Sequence, residues 1–156
     1  MKAVLRAETG ADGAFLRALF DQVRTRELGL AGMAEAMLRP LLDMQFTAQR
    51  QSYLRDFPGA RCDVVEVDGV AAGRQLVARD GHALTLVDIA LLPQFCGRGI
   101  GSALLRGLQR EAAGAGLPLR LHVALNNPAE ALYRRLGFKE NGVSGMYRAM
   151  EWENDK

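Results

Sequence analysis

Residues 84–113 read LTLVDIALLPQFCGRGIGSALLRGLQREAA, and two hydrophobic periods meet inside them. Leu84 to Leu92 is almost wholly apolar and is bounded by Asp80-Gly81 and Pro93, the pattern of a strand covered on both faces. After Pro93 the period changes. Ile100, Ala103, Leu104, Gly107 and Leu108 recur at i, i+3, i+4, i+7 and i+8, one face of a helix that starts near Gly99 or Ile100. Between strand and helix lies Gly97-Arg98-Gly99-Ile100-Gly101, where missing side chains let a ligand approach backbone N–H groups. The dipole of a helix favours an anion at its N-terminus by about 0.3–1 kcal/mol, and each charge-assisted hydrogen bond adds about 1.5–3 kcal/mol. The stretch therefore predicts a buried strand, a sharp turn and a helix that can cradle a phosphate. Glycine turns also make plain strand-to-helix connections, so the glycines carry this reading only together with other motifs.

Two phosphate motifs are excluded. No Gly-Lys-Ser/Thr follows, so the turn is not a nucleoside triphosphate loop. The spacing is G-x-G-x-G rather than G-x-G-x-x-G, and no acidic residue follows a second strand to hold a ribose, so the dinucleotide fingerprint fails as well.

The segment LLPQFCGRGIGSALL, followed by LHVALNNPAEALYRRLGF, resembles the GNAT superfamily of acetyl-CoA-dependent N-acetyltransferases. The shared pattern is a hydrophobic strand, Arg/Gln-G-x-G-x-G/A, then N-x-x-A-x-x-L-Y-x-x-L-G-F, and the paired motifs span roughly Leu84 to Phe138. Asp88 to Pro93, Asn127 to Tyr133 and Met150 to Trp152 also resemble a small bacterial subgroup with D-I-A-L-L-P, N-P-A-x-x-L-Y and a terminal M-E-W. The resemblance implies an α/β (α+β) fold: a mixed, mainly antiparallel sheet flanked by helices and split at a central parallel strand pair. It also implies one acetyltransferase domain over residues 1–156.

Composition agrees with an ordinary globular chain. Apolar residues make 49% and charged residues 24%, and a net charge of +2 is too mild to make nucleic acid or an anionic membrane a principal partner. Cys62 and Cys96 do not form a disulfide framework, and no metal-ligand spacing occurs. MKAVLRAETGAD has no secretory apolar region, and no run approaches the ~18 apolar residues of a membrane span, so a cytoplasmic location is expected.

Taken in order, Lys2 to Ala7 reads as a strand, and Thr9 or Asp12 as the cap of a helix with Phe15, Leu16, Leu19, Phe20 and Val23 in one stripe. Gly29 to Gly32 breaks it. A second helical region covers roughly Met33 to Asp56, with Met37, Leu38, Leu41, Leu42, Met44 and Phe46 available for packing and a kink or fresh start expected at Pro40. Arg61–Val67 and Val70–Ala78 form a hairpin at Asp68-Gly69, and the Leu84–Leu92 strand completes an antiparallel meander. Pro118 to Ala124 returns parallel to that strand by a right-handed crossover. Glu130 to Leu136 is a short helix stopped by Gly137, and Phe138 and Met146 to Trp152 supply the last strands.

The resemblance assigns functions by position. Acetyl-CoA is the co-substrate, with no metal. The central strand would splay from its parallel neighbour after a bulge. The pantetheine of acetyl-CoA would pair there with backbone groups along Ile89-Ala90-Leu91, and the pyrophosphate would meet the amides of Gly97, Arg98, Gly99, Ile100, Gly101 and Ser102. Asn126 or Asn127 would bind the pantetheine arm: counting back seven residues from Tyr133 gives Asn126, whereas the N-P-A motif selects Asn127. Tyr133 would protonate the departing thiolate. A phenol of pKa ~10 stays protonated at pH 7 yet can donate to a thiolate whose conjugate acid is near ~8.5. The bland alternative is a core tyrosine.

The attacking amine must be neutral. Deprotonation at pH 7 costs about 4–5 kcal/mol for a lysine-like amine and about 1–1.5 kcal/mol for an α-amine, which sets the demand for a base. Asp88 interrupts the apolar face of Leu84, Leu86, Ala90 and Leu92, and His122 lies on the strand where some relatives carry a glutamate; either can serve as base or relay, or brace the fold. By the same resemblance, in which the connection between the first two helices lines the acceptor site, Arg24, Arg26, Glu27 and residues 29–36 would shape acceptor specificity; the alternative is a solvated charged face. Cys96 departs from the family's Arg/Gln, and an alkylatable thiol shielded by CoA is one reading of it. The expected partner is a small-molecule or peptide amine, with a homodimer left open because dimers are common in the family. The competing readings are a catalytically weak acyl-CoA-binding or regulatory module and an interaction protein using the same fold.

Overall fold

The computed structural model describes residues 2–154. Seven strands form one sheet in the order β1-β2-β3-β4-β5-β7-β6. The strands are β1 (Ala3–Ala7), β2 (Arg61–Val67), β3 (Val70–Arg79), β4 (Leu84–Leu91), β5 (Leu119–Ala124), β6 (Lys139–Ser144) and β7 (Tyr147–Trp152). The helices are α1 (Gly13–Leu28), α2 (Glu35–Asp56), α3 (Ile100–Ala115) and α4 (Ala129–Arg135). All neighbouring strands are antiparallel except β4 and β5. This is the mixed, mainly antiparallel sheet expected from the sequence.

Local chemistry explains the punctuation. Thr9 and Asp12 form a reciprocal capping box that opens a short 3-10 turn ahead of α1, and Arg6 clamps the Asp12 carboxylate through two N–H bonds of 2.9 and 2.8 Å. Asp68 and Gly69 both take positive φ, +52° and +81°, as a two-residue hairpin of this hand requires. Helix α2 runs unbroken through Pro40, so no fresh helix starts there. The proline sits in the second turn on an exposed face, so only one intrahelical bond near an end is lost. Of its expected packing residues, Leu42 is buried whereas Met37 and Met44 are 67% and 62% exposed.

The core lies mainly between the sheet and α3. Leu105, Leu108 and Ala112 pack on Val77, Leu84, Leu86, Leu119 and Leu121, and Ile100 and Leu104 pack on Val65, Val67 and Ala72. Each fully buried leucine of this set contributes about 1.5–3 kcal/mol of apolar transfer. Helix α2 covers the opposite face, where Gln49 and Tyr53 meet Arg74, and α1 packs on α2 through Phe20 and Phe46, whose rings meet edge to face at 5.2 Å.

A bulge changes the faces of β4. Leu86 pairs with Val77 and Asp88 with Leu76. Neighbouring residues of β3 point to opposite sides, so Leu86 and Asp88 do too, and Val87 is the inserted residue. The sequence alternation set Asp88 among Leu84, Leu86, Ala90 and Leu92; the bulge corrects this and turns Asp88 away from the α3 core toward α2. The second half of the strand is also only half-buried, not covered on both faces.

Candidate active site

Strands β4 and β5 pair over three positions, Leu84 with Leu119, Thr85 with Arg120 and Leu86 with Leu121. Past these the strands part. Residues 88–91 of β4 remain paired to β3 alone, and their other edge faces a cleft of about 750 Å³ walled by β4, β5, α1, α2 and α4. The bulge thus opens a passage through the sheet, with Asp88 and Arg74 on the α2 side and Tyr133 entering from α4.

The N-terminus of α3 stands beyond the end of β4. Gly97 and Gly99 hold φ of +73° and +79°, and Gly99 is the N-cap with no side chain capping the helix. The first bond into the helix runs from the Ala103 N–H to the Gly99 carbonyl at 3.0 Å. Among the described residues, the amides of Gly99, Ile100, Gly101 and Ser102 have no acceptor. At Gly97 and Gly99 backbone conformation selects glycine, whereas Gly101 leaves open space beside those amides. Four free N–H groups at the positive end of a sixteen-residue helix make a site for an anion. Arg98 is exposed, its guanidinium 5.8 Å from the Phe95 ring centroid. Cys96 lines the cleft, and its thiol donates toward the Leu92 and Leu91 carbonyls at 3.6 and 3.8 Å.

Tyr133 is half-buried on α4, its ring edge-on to Phe138 at 5.8 Å. Burial, followed by the negative charge of Asp88, raises the pKa of its phenol, so it keeps its proton at neutral pH. Asp88 accepts two hydrogen bonds from Arg74, from Nη2 at 2.9 Å and Nε at 3.2 Å. Arg74 in turn donates to Gln49 at 3.0 Å and lies 5.7 Å from the Tyr53 ring centroid. His122 shares the Asp88 side of the sheet, through its place between Arg120 and Ala124, and is exposed.

The two asparagines differ in their surroundings. The Asn127 side-chain oxygen accepts from the Ala129 N–H at 2.9 Å and so caps the entry to α4, while Asn126 sits exposed at φ +71°. Both line the cleft, as do Ile89, Ala90 and Leu91.

Sequence reasoning missed Arg74, Gln49, Tyr53 and Tyr147, which complete the wall on the α2 side. An arginine in the apolar run VAAGRQLVAR was the available signal for the first; the others come from long-range packing. Burial pushes the Tyr53 phenol up to about 12. Glu27, which also lines the cleft, has its carboxyl raised by burial and by Asp88 against the lowering influence of Arg24. Among the described residues, no group of three His, Cys, Asp or Glu side chains is placed to hold a metal ion, and no helix is long and apolar enough to cross a membrane.

The parted sheet and the open helix end leave an unpaired strand edge and an anion-favouring helix terminus beside one cleft. Residues 58–140, more than half of the chain, match the acetyltransferase (GNAT) domain family, and the chain belongs to it. Solved structures agree in fold. A PaiA N-acetyltransferase from Thermoplasma acidophilum, solved with coenzyme A, is 17% identical with a TM-score of 0.73, over 99% of this chain and 100% of that one. An acetyltransferase from Thermus thermophilus is 21% identical with a TM-score of 0.70, over 99% and 98%. Ard1 from Thermoplasma volcanium is 18% identical with a TM-score of 0.62, over 98% of each chain. At these identities the likeness is one of fold, and acyl transfer is the chemistry that family membership supports.

Proposed function

We propose that the chain moves an acetyl group from acetyl-CoA to a primary amine by direct attack, with Tyr133 as general acid. The observation that carries this reading is the passage through the sheet, with free amides at its α3 end and a protonated phenol within it. The coenzyme A complex of the similar Thermoplasma acidophilum structure supports the choice of co-substrate. The fit is chemical: a pyrophosphate matches the uncapped helix end, and a pantetheine amide matches the unpaired edge at Ile89-Ala90-Leu91.

Acetyl-CoA would supply an activated thioester. The chain's residues would do the rest. Amides 97–102 would hold the diphosphate, Asn126 the pantetheine arm, and Tyr133 would give its proton to the sulfur as it leaves. An amine entering from the α1–α2 side would meet Asp88 and His122. Arg74 already engages one Asp88 oxygen twice, so His122 is the freer of the two for accepting a proton, and Asp88 would act mainly through its charge.

The test is calorimetry with acetyl-CoA and dephospho-CoA, followed by an amine panel with wild type and Tyr133→Phe. Binding with turnover that falls in the variant supports the reading. Binding with no turnover, unchanged by the substitution, would identify a CoA-binding module, and no binding would overturn the reading at its first step.

A further inference from the structure

Two buried polar atoms beside the cleft have no partner among the described residues: Arg24 Nε on α1 and Gln45 Oε1 on α2. Both border a side pocket of about 370 Å³, completed by Ala48, Gln49, Ser52, Tyr53 and Tyr147. Arg24, Gln49, Tyr53 and Tyr147 line the main cleft as well, so the pocket is its side chamber. An unmet buried N–H on a guanidinium costs more than a neutral one, and such a cost marks a place for an acceptor.

The cleft holds two arginines in different states. Arg74 is satisfied by Asp88, Gln49 and the Tyr53 ring. Arg24 is held by packing and a loose ion pair: its guanidinium lies 5.2 Å from the Phe20 ring centroid, and its Nε is 3.9 Å from Glu27, beyond hydrogen-bond reach. Cation–π contact fixes the plane of the guanidinium and leaves its edge for an oxygen. Gln45 adapts to the same ligand, because turning its carboxamide by half a revolution presents N–H groups with nearly the same heavy-atom positions.

We infer that the acceptor is a small zwitterionic amine, an amino-acid-like molecule whose carboxylate is received by Arg24 with Gln45 beside it. Its amine then points into the main cleft, which Asp88 also lines. Leu16, Phe20 and Val23 offer apolar surface to its side chain. This rests on the amine-acetylating reading and narrows its substrate class.

The probes are L-phenylalanine, L-phenylalaninamide and phenethylamine, titrated into CoA-saturated protein so that no turnover is needed. L-Phenylalanine should bind at least about tenfold tighter than either analogue, as one charge-assisted contact implies. Arg24→Gln should reduce that gap to about twofold or less, and Arg24→Lys should restore part of it, with CoA affinity serving as the folding control in all three proteins. Equal binding of the probes, preference for the amide, a gap that survives Arg24→Gln, or no probe binding while CoA binds would each overturn the inference and leave the acetyltransferase reading standing. Loss of CoA binding in the wild type would instead overturn that reading.

Discussion

Gly73 and Ala90 approach so closely across the β3–β4 ladder that a Cβ on Gly73 would lie 2.2 Å from the Ala90 carbonyl oxygen and 2.8 Å from the Leu91 side chain. The contact is with backbone, so it cannot be relieved by a rotamer change. Gly73→Ala should push on the part of β4 that edges the cleft, destabilising the fold by about 1–3 kcal/mol and weakening CoA binding together with it. Chemical denaturation and calorimetry on the same sample check this; an unchanged midpoint with unchanged affinity would contradict it.

At Gly99 stability and binding should separate. Gly99 holds φ +79°, which aspartate tolerates better than most residues, so Gly99→Asp should lower stability by only about 1 kcal/mol. Its carboxylate, placed beside the free amides, repels a diphosphate. CoA affinity should drop by about tenfold or more, while wild-type affinity retained in the variant would count against this anion site.

Tyr133 makes a prediction about pH. Its phenol is raised by burial and by Asp88, so the acid form persists beyond the ordinary value of about 10. Turnover should rise as the amine loses its proton and show no alkaline fall up to about pH 10. Tyr133→Phe should lower kcat by roughly 10²–10⁴ across that range, with CoA affinity nearly unchanged. An alkaline limb near pH 8 would point to a different acid.

Asp88 and Arg74 should behave as a unit. The Arg74 side chain is 17% exposed, so Asp88→Asn leaves a largely buried cation short of its counter-charge and should cost about 1–3 kcal/mol, below the range for fully buried pairs. Replacing both by leucine should recover most of that loss. Equal destabilisation by the single and double variants would show that the pair matters for shape alone.

The sheet and its helices were legible in sequence because each element is locally consistent: the apolar run 84–92, the Asp68-Gly69 turn, the stripe of α3 and the glycine entry all point the same way. The candidate site was legible where it is made of backbone, at residues 89–91 and 97–102. It was not legible where it depends on register. The resemblance implies a bulge in this strand but not its position, and the extra residue Val87 inverts the alternation on which Asp88 was placed. Arg74 reaches Asp88 through pairing between strands, and Gln49, Tyr53 and Tyr147 arrive from elements that only folding brings alongside. Gly73 carries no local signal for the same reason: its need is set by the strand beside it.

The three residue pairs that join β4 to β5 form a narrow seam between a four-strand and a three-strand panel. A ligand that hydrogen-bonds to the free edge of β4 acts there as a stitch, lengthening the seam with rungs the chain does not supply. Occupancy and cohesion of the panels then become one equilibrium, and free ligand at a hundredfold above its Kd tightens the whole sheet by about 2.7 kcal/mol. In a protein that binds such a ligand, its supply sets what share of the chains stays folded.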